Sequence, residues 1–98
     1  MLYKVHNLNG TSDNEVPMGY RSWKDFWESK TWQKANSCHR WLCSSSDNIV
    51  GAHVQLSDGG REWYIVPLCQ HCNISLKNQD FYVSGPLVPV NDNYQIKW

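Results

Sequence analysis

No stretch of this 98-residue chain approaches the roughly 18 consecutive apolar residues that cross a bilayer, and Met1 to His6 carry no apolar region of the kind that opens a secretion signal. A soluble, cytoplasmic protein without membrane contact is therefore expected. Charge of one sign is also lacking. Nine basic side chains meet nine acidic ones, which excludes a strongly basic nucleic-acid clamp, and 41% apolar residues exclude a disordered polyampholyte. There is no internal repeat and no low-complexity tract. The length leaves no room for a second core, so residues 1–98 are expected to form a single domain, by default a monomer. What the chain does have is aromatics, 13% of it with six Trp, which bury much area per residue. A domain this small still hides only about two-thirds of its unfolded surface, so a further staple is expected.

Cysteine is scarce but ordered. Cys38 and Cys43 frame Ser37-Cys38-His39-Arg40-Trp41-Leu42-Cys43, Cys69 and Cys72 frame Cys69-Gln70-His71-Cys72, and there are no others. Two close pairs separated by residues 44–68 suit a tetrahedral thiolate site, because each pair supplies two ligands from one tight turn and the intervening chain closes a loop around the ion. Structural Zn²⁺ held by Cys38, Cys43, Cys69 and Cys72 is the expectation. Disulfides are the alternative, in three possible connectivities, and would need an oxidising compartment. A redox CxxC is a weaker one, since no βαβ pattern precedes the motif. His39 and His71 are adjacent and each could replace a cysteine. Otherwise they are exposed polar residues.

Between the pairs, residues 49–56 and 61–68 are rich in β-formers and are joined by Ser57-Asp58-Gly59-Gly60, a strong hairpin signal. A two-residue Asp58-Gly59 turn sets Val54 opposite Trp63 and His53 opposite Tyr64, with His53 on the more polar face; a Gly59-Gly60 turn keeps the same faces. Pro67 is expected to end the second strand. Residues 69–77 read as a short helix with Cys72 in its first turn.

Upstream, Asn7 to Asn14 and Pro17 to Gly19 are turn-forming and read as loop. Ser22 with Asp25 three positions on, and Trp23, Phe26, Trp27 and Lys30 at helical spacing, predict a helix over about 22–30. Its tryptophans serve either as core or, together with Arg21, Lys24, Lys30, Lys34 and Arg40, as a basic and aromatic surface for phosphate contact and base stacking. Downstream, Phe81-Tyr82-Val83 and Leu87-Val88-Pro89-Val90 are short extended segments that Pro86 and Pro89 confine to an edge.

Knuckle, hairpin and ligand-bearing helix in this order resemble a treble-clef zinc finger. The expected class is thus α+β: a treble-clef core over about 37–80 with a preceding helix and an extended C-terminal segment. Gly51-Ala52-His53-Val54, the Gly-Gly turn and Tyr64 to Asn73 resemble the HNH endonuclease group of treble-clef proteins. That resemblance implies His53 as general base and Asn73 at a second divalent metal, apart from the structural zinc. Tyr64 occupies the position where the group carries an Asn, and Ile74 to Lys77 offer that metal no further His, Asp or Glu. Asn7 to Gly10, Ser22-Trp23 with Trp27, the cysteine segments, Gly51 to Gln55, Trp63 to Cys69 and Leu87 to Pro89 together resemble a set of small bacterial and phage-associated zinc proteins. This second similarity implies the zinc module and no particular activity. A zinc-stabilised module that binds nucleic acid or another protein is the leading expectation, with a metal-dependent HNH-type endonuclease as the alternative. A small disulfide-bonded extracellular effector is the third reading.

Overall fold

Alternation of apolar and polar residues decides which side of each strand is buried, and here it builds two cores rather than one. The computed structural model describes residues 2–8, 16, 19–59, 61–76 and 79–90. In chain order the elements are β1 (Leu2–Asn7), α1 (Trp23–Thr31), β2 (Ile49–Leu56), β3 (Trp63–Cys69), α2 (Gln70–Ser75), β4 (Asp80–Ser84) and β5 (Val88–Val90). The strands form one antiparallel sheet in the order β4-β1-β2-β3-β5. β4 and β5 take the two outer places, as the prolines around them require. Residues 9–15, 17–18 and 91–98 lie outside the described residues, and with them most of the expected upstream loop.

On one face Val5, Ala52, Val54, Val66, Leu68, Phe81 and Val83 pack with Cys38, Cys69 and Cys72. On the other, Trp23, Phe26, Trp27 and Ala35 pack against Ile65, Val88 and Val90. α1 closes this second core. Its start is capped by Ser22, whose Oγ accepts the Asp25 N–H at 3.0 Å, satisfying one donor that the helix leaves unpaired. Its end is Trp32, which adopts the left-handed conformation at φ 61° and returns its N–H to the Glu28 carbonyl. The helix lies directly on β2 at Gly51, where a Cβ would stand 2.6 Å from the backbone of Trp23 and Lys24. Only glycine admits that approach.

The hairpin register differs from expectation. Val54 pairs with Tyr64, His53 with Ile65 and Ala52 with Val66, one residue away from the pairing a two-residue turn would set. The connection runs over 57–62 and bends at Gly59, φ 101°. A slip of one residue turns every β3 side chain to the other face. Pro67 does not end β3 either, which continues to Cys69. The Pro67 carbonyl points outward to the His39 N–H at 2.9 Å. Its missing N–H faces the same outer edge, and the β2–β3 ladder loses nothing.

β1 has no counterpart in the sequence reading. Asn7, expected in a loop, ends this strand 1% exposed, with its N–H on the Gln79 carbonyl and its Nδ2 donating to the Asn73 carbonyl at 2.8 Å. These two bonds tie α2 and the chain after it to the sheet.

Candidate metal centre

The segment holding Cys38 and Cys43 is shaped by backbone bonds before any metal is considered. The Cys38 N–H donates to the Ser45 carbonyl and the Cys43 N–H to the Arg40 carbonyl, folding residues 38–45 into a compact knuckle. Leu42 sits at its tip with φ 69° and is 86% exposed. The same segment joins distant parts of the sheet. His39 donates to Pro67 of β3, while Trp41 donates to the Tyr82 carbonyl and the Ser84 N–H to the His39 carbonyl, forming an antiparallel bridge between Arg40 and Val83. β3 and β4 lie three places apart in the sheet order, so the sheet must curl to meet the same segment. Cys69 ends β3 and Cys72 falls in the first turn of α2. Curling brings the two pairs together.

The four Sγ atoms lie within 4.8 Å of one another, and Cys72 Sγ is 3.7 Å from Cys43 Sγ. A tetrahedron with metal–sulfur bonds of about 2.3 Å has edges of about 3.8 Å. A disulfide would need about 2.05 Å, and all four cysteines are free. Cys38, Cys69 and Cys72 are buried and Cys43 is half-buried. The cluster can hold a metal ion. Burial favours the protonated thiol at two of the four positions. Burial pushes Cys72 up to about 12 and raises Cys38, the latter against the backbone amides of Cys69 and Arg40. The Ser45 backbone amide draws Cys43 below the usual thiol range. A metal entering this site must displace protons, so its affinity weakens as pH is lowered.

Neither neighbouring histidine joins the cluster. His39 Nδ1 lies 3.1 Å from the Ser84 carbonyl oxygen and its ring packs edge-on against Trp27 at 5.3 Å, while His71 is exposed on α2. A residue that pattern reading missed in this role is Arg40, whose Nη1 lies 3.9 Å from Cys72 Sγ. The signal was a cation inside the first cysteine pair.

His53 and Asn73 are not brought together. The register puts His53 on the α1 face, 4% exposed, between the rings of Trp23 at 4.7 Å and Trp63 at 5.7 Å. Its expected place on the more polar face is thus corrected by the one-residue slip. Burial pushes its pKa down to about 4, and among the described residues Nε2 has no hydrogen-bond partner. Asn73 belongs to α2, the helix that carries Cys72 of the thiol core, and its carbonyl accepts from Asn7 Nδ2. Tyr64 likewise turns away from His53, and its hydroxyl donates to Glu62 Oε1 at 2.8 Å.

The tryptophans of 21–41 divide. Trp23 and Trp27 are core, Trp27 also donating its Nε1–H to the Pro86 carbonyl. Trp32 is 94% exposed and Trp41 53%. Among the described residues no helix is long and apolar enough to cross a membrane. No protein-family model matches the chain, and no curated protein or solved structure is significantly similar to it.

Proposed function

We propose that this chain is a zinc-stabilised binding module of treble-clef type, with nucleic acid as the partner and no catalytic step. One observation carries the reading: four sulfur atoms from two segments far apart in sequence converge within 4.8 Å. Zn²⁺ suits four thiolates because it has no geometric preference beyond the tetrahedron they offer. When bound, it locks the knuckle to the start of α2 with the hairpin between them. That linkage stabilises small zinc domains by roughly 10–16 kcal/mol apparent at neutral pH. Knuckle, hairpin and helix follow one another here as they do in a treble clef.

The partner is inferred from what remains outside the cores. Trp32 and Trp41 are exposed on a stretch carrying five basic side chains against Asp25 and Glu28, a composition suited to stacking and phosphate contact. The endonuclease alternative lacks a comparable observation. A general base must reach water at the scissile phosphate, and His53 lies between two indoles.

Native mass spectrometry of protein purified without added metal tests the zinc reading: one Zn²⁺ per chain is expected, and none after Cys69→Ser. Metal-free wild-type protein with unchanged circular dichroism would overturn it. A salt-sensitive gel shift without nicking of plasmid DNA in Mg²⁺ or Mn²⁺ is the expected nucleic-acid result. Nicking by wild type that disappears in His53→Ala would instead establish the nuclease.

A further inference from the structure

The fold sorts the basic side chains of 21–40, and the sorting leaves two over. Arg21 Nη2 sits 3.6 Å from Asp25 Oδ1. Lys30 Nζ lies over the rings of Tyr20 and Phe26 at 5.8 and 5.6 Å. Arg40 reaches the Cys72 sulfur. Lys24 and Lys34 have no hydrogen-bond or ion-pair partner among the described residues. Both line the same open cleft of about 650 Å³, between α1 and the segments 34–36 and 46–49. Asn36, Ser46 and Asn48 supply uncharged hydrogen-bonding groups to its wall. The one carboxylate there, Glu28, is engaged: its Oε2 accepts the Ala35 N–H at 2.8 Å.

Trp32 stands two residues from Lys34, 94% exposed and in the left-handed conformation, φ 61°. The left-handed turn closes α1, while the exposed indole contributes no burial. Glycine would end α1 with less strain, and an indole in water gains nothing from packing. An indole left in water two positions from Lys34 is available for stacking.

We propose that this cleft is a subsite for single-stranded nucleic acid, in which Lys24 and Lys34 hold backbone phosphates, Asn36, Ser46 and Asn48 bond their oxygens, and Trp32 stacks one base. A groove that follows the phosphates beside an aromatic platform is the general solution for unpaired strands. A duplex offers no free base face to Trp32. The inference rests on the nucleic-acid reading above and deepens it.

The test is fluorescence anisotropy of zinc-loaded protein with a labelled oligothymidylate of about 12 nucleotides over a range of salt. Lys24→Gln combined with Lys34→Gln is expected to lower the slope of log K against log salt by roughly 1.4, at about 0.7 per phosphate contact on a single strand. Trp32→Ala is expected to weaken binding on the order of tenfold and Trp32→Phe much less, because every base can stack on a ring. Lys4→Gln, on β1 and outside the cleft, serves as the charge control. Equal losses in Lys4→Gln and Lys24→Gln, or binding and slope unchanged in the double variant, would overturn the cleft and leave the nucleic-acid reading standing. Tighter binding of a duplex of the same sequence would overturn the single-strand assignment. Competition by inorganic phosphate as strong, per phosphate, as by oligothymidylate would assign the cleft to free phosphate and overturn the strand. Absence of binding to any nucleic acid by the zinc-loaded wild type would overturn the parent reading itself.

Discussion

The two faces of the sheet are held by different chemistry. On the thiol face small side chains, Val5, Ala52, Val54 and Val83, surround four cysteines, and no large aromatic other than Phe81 belongs to the buried set. On the indole face Trp23, Phe26 and Trp27 dock one helix chiefly through apolar area, with one indole hydrogen bond from Trp27 to the Pro86 carbonyl. Thiol-face contacts join segments that backbone bonds and sulfur bring together, so their strength depends on what the sulfurs hold. Contacts on the indole face depend on apolar burial at all times. His39 lies where the two meet, its backbone in the knuckle and its ring on Trp27.

Chelation should break the contrast most sharply. With the ion removed, hydrogen-exchange protection over 38–43 and 70–76 is expected to collapse, a loss of about 10 kcal/mol apparent, while α1 retains measurable protection. Simultaneous loss in α1 would show that the two faces form one cooperative unit. Trp27→Ala attacks the other side. Urea denaturation of the metal-loaded protein should show a loss of about 3–5 kcal/mol from the cavity, with metal stoichiometry unchanged.

His53 adds a pH dependence that belongs to the indole face alone. Its pKa is pushed down from 6.5 to about 4 by burial, so between those values the unfolded chain binds a proton that the folded chain does not. The stability of the neutral imidazole is therefore fully present above pH 6.5 and is lost progressively as pH falls to about 4, by roughly 3 kcal/mol. His53→Leu should flatten the stability profile in that window by this amount relative to wild type, and metal release at acid pH would be common to both proteins. Ser22→Ala is the smallest change, about 1 kcal/mol, read from thermal denaturation.

The cysteine spacing, the hairpin segments and the Ser22 cap were legible because each depends on residues a few positions apart. Ile49–Leu56 and Trp63–Cys69 match the expected runs within two residues. The register was not legible. It turns on a connection over 57–62 whose sequence admits several turns, and one step in it moved Tyr64 away from His53. β1 was hidden for another reason. The alternation of Tyr3 and Val5 with Lys4 and His6 is short, and the partners that give it meaning stand far off, Leu2 opposite Ser84 and Val5 opposite both Leu56 and Phe81.

Which atoms can bind a metal was written in the order of residues, since each tight turn presents two thiols by local stereochemistry, while the meeting of the two pairs was left to the curl of the sheet. Which histidine is buried, which lysines remain free and which tryptophans face water came from packing between segments distant in the chain, where burial and hydrogen bonding depend on neighbours that no local pattern contains.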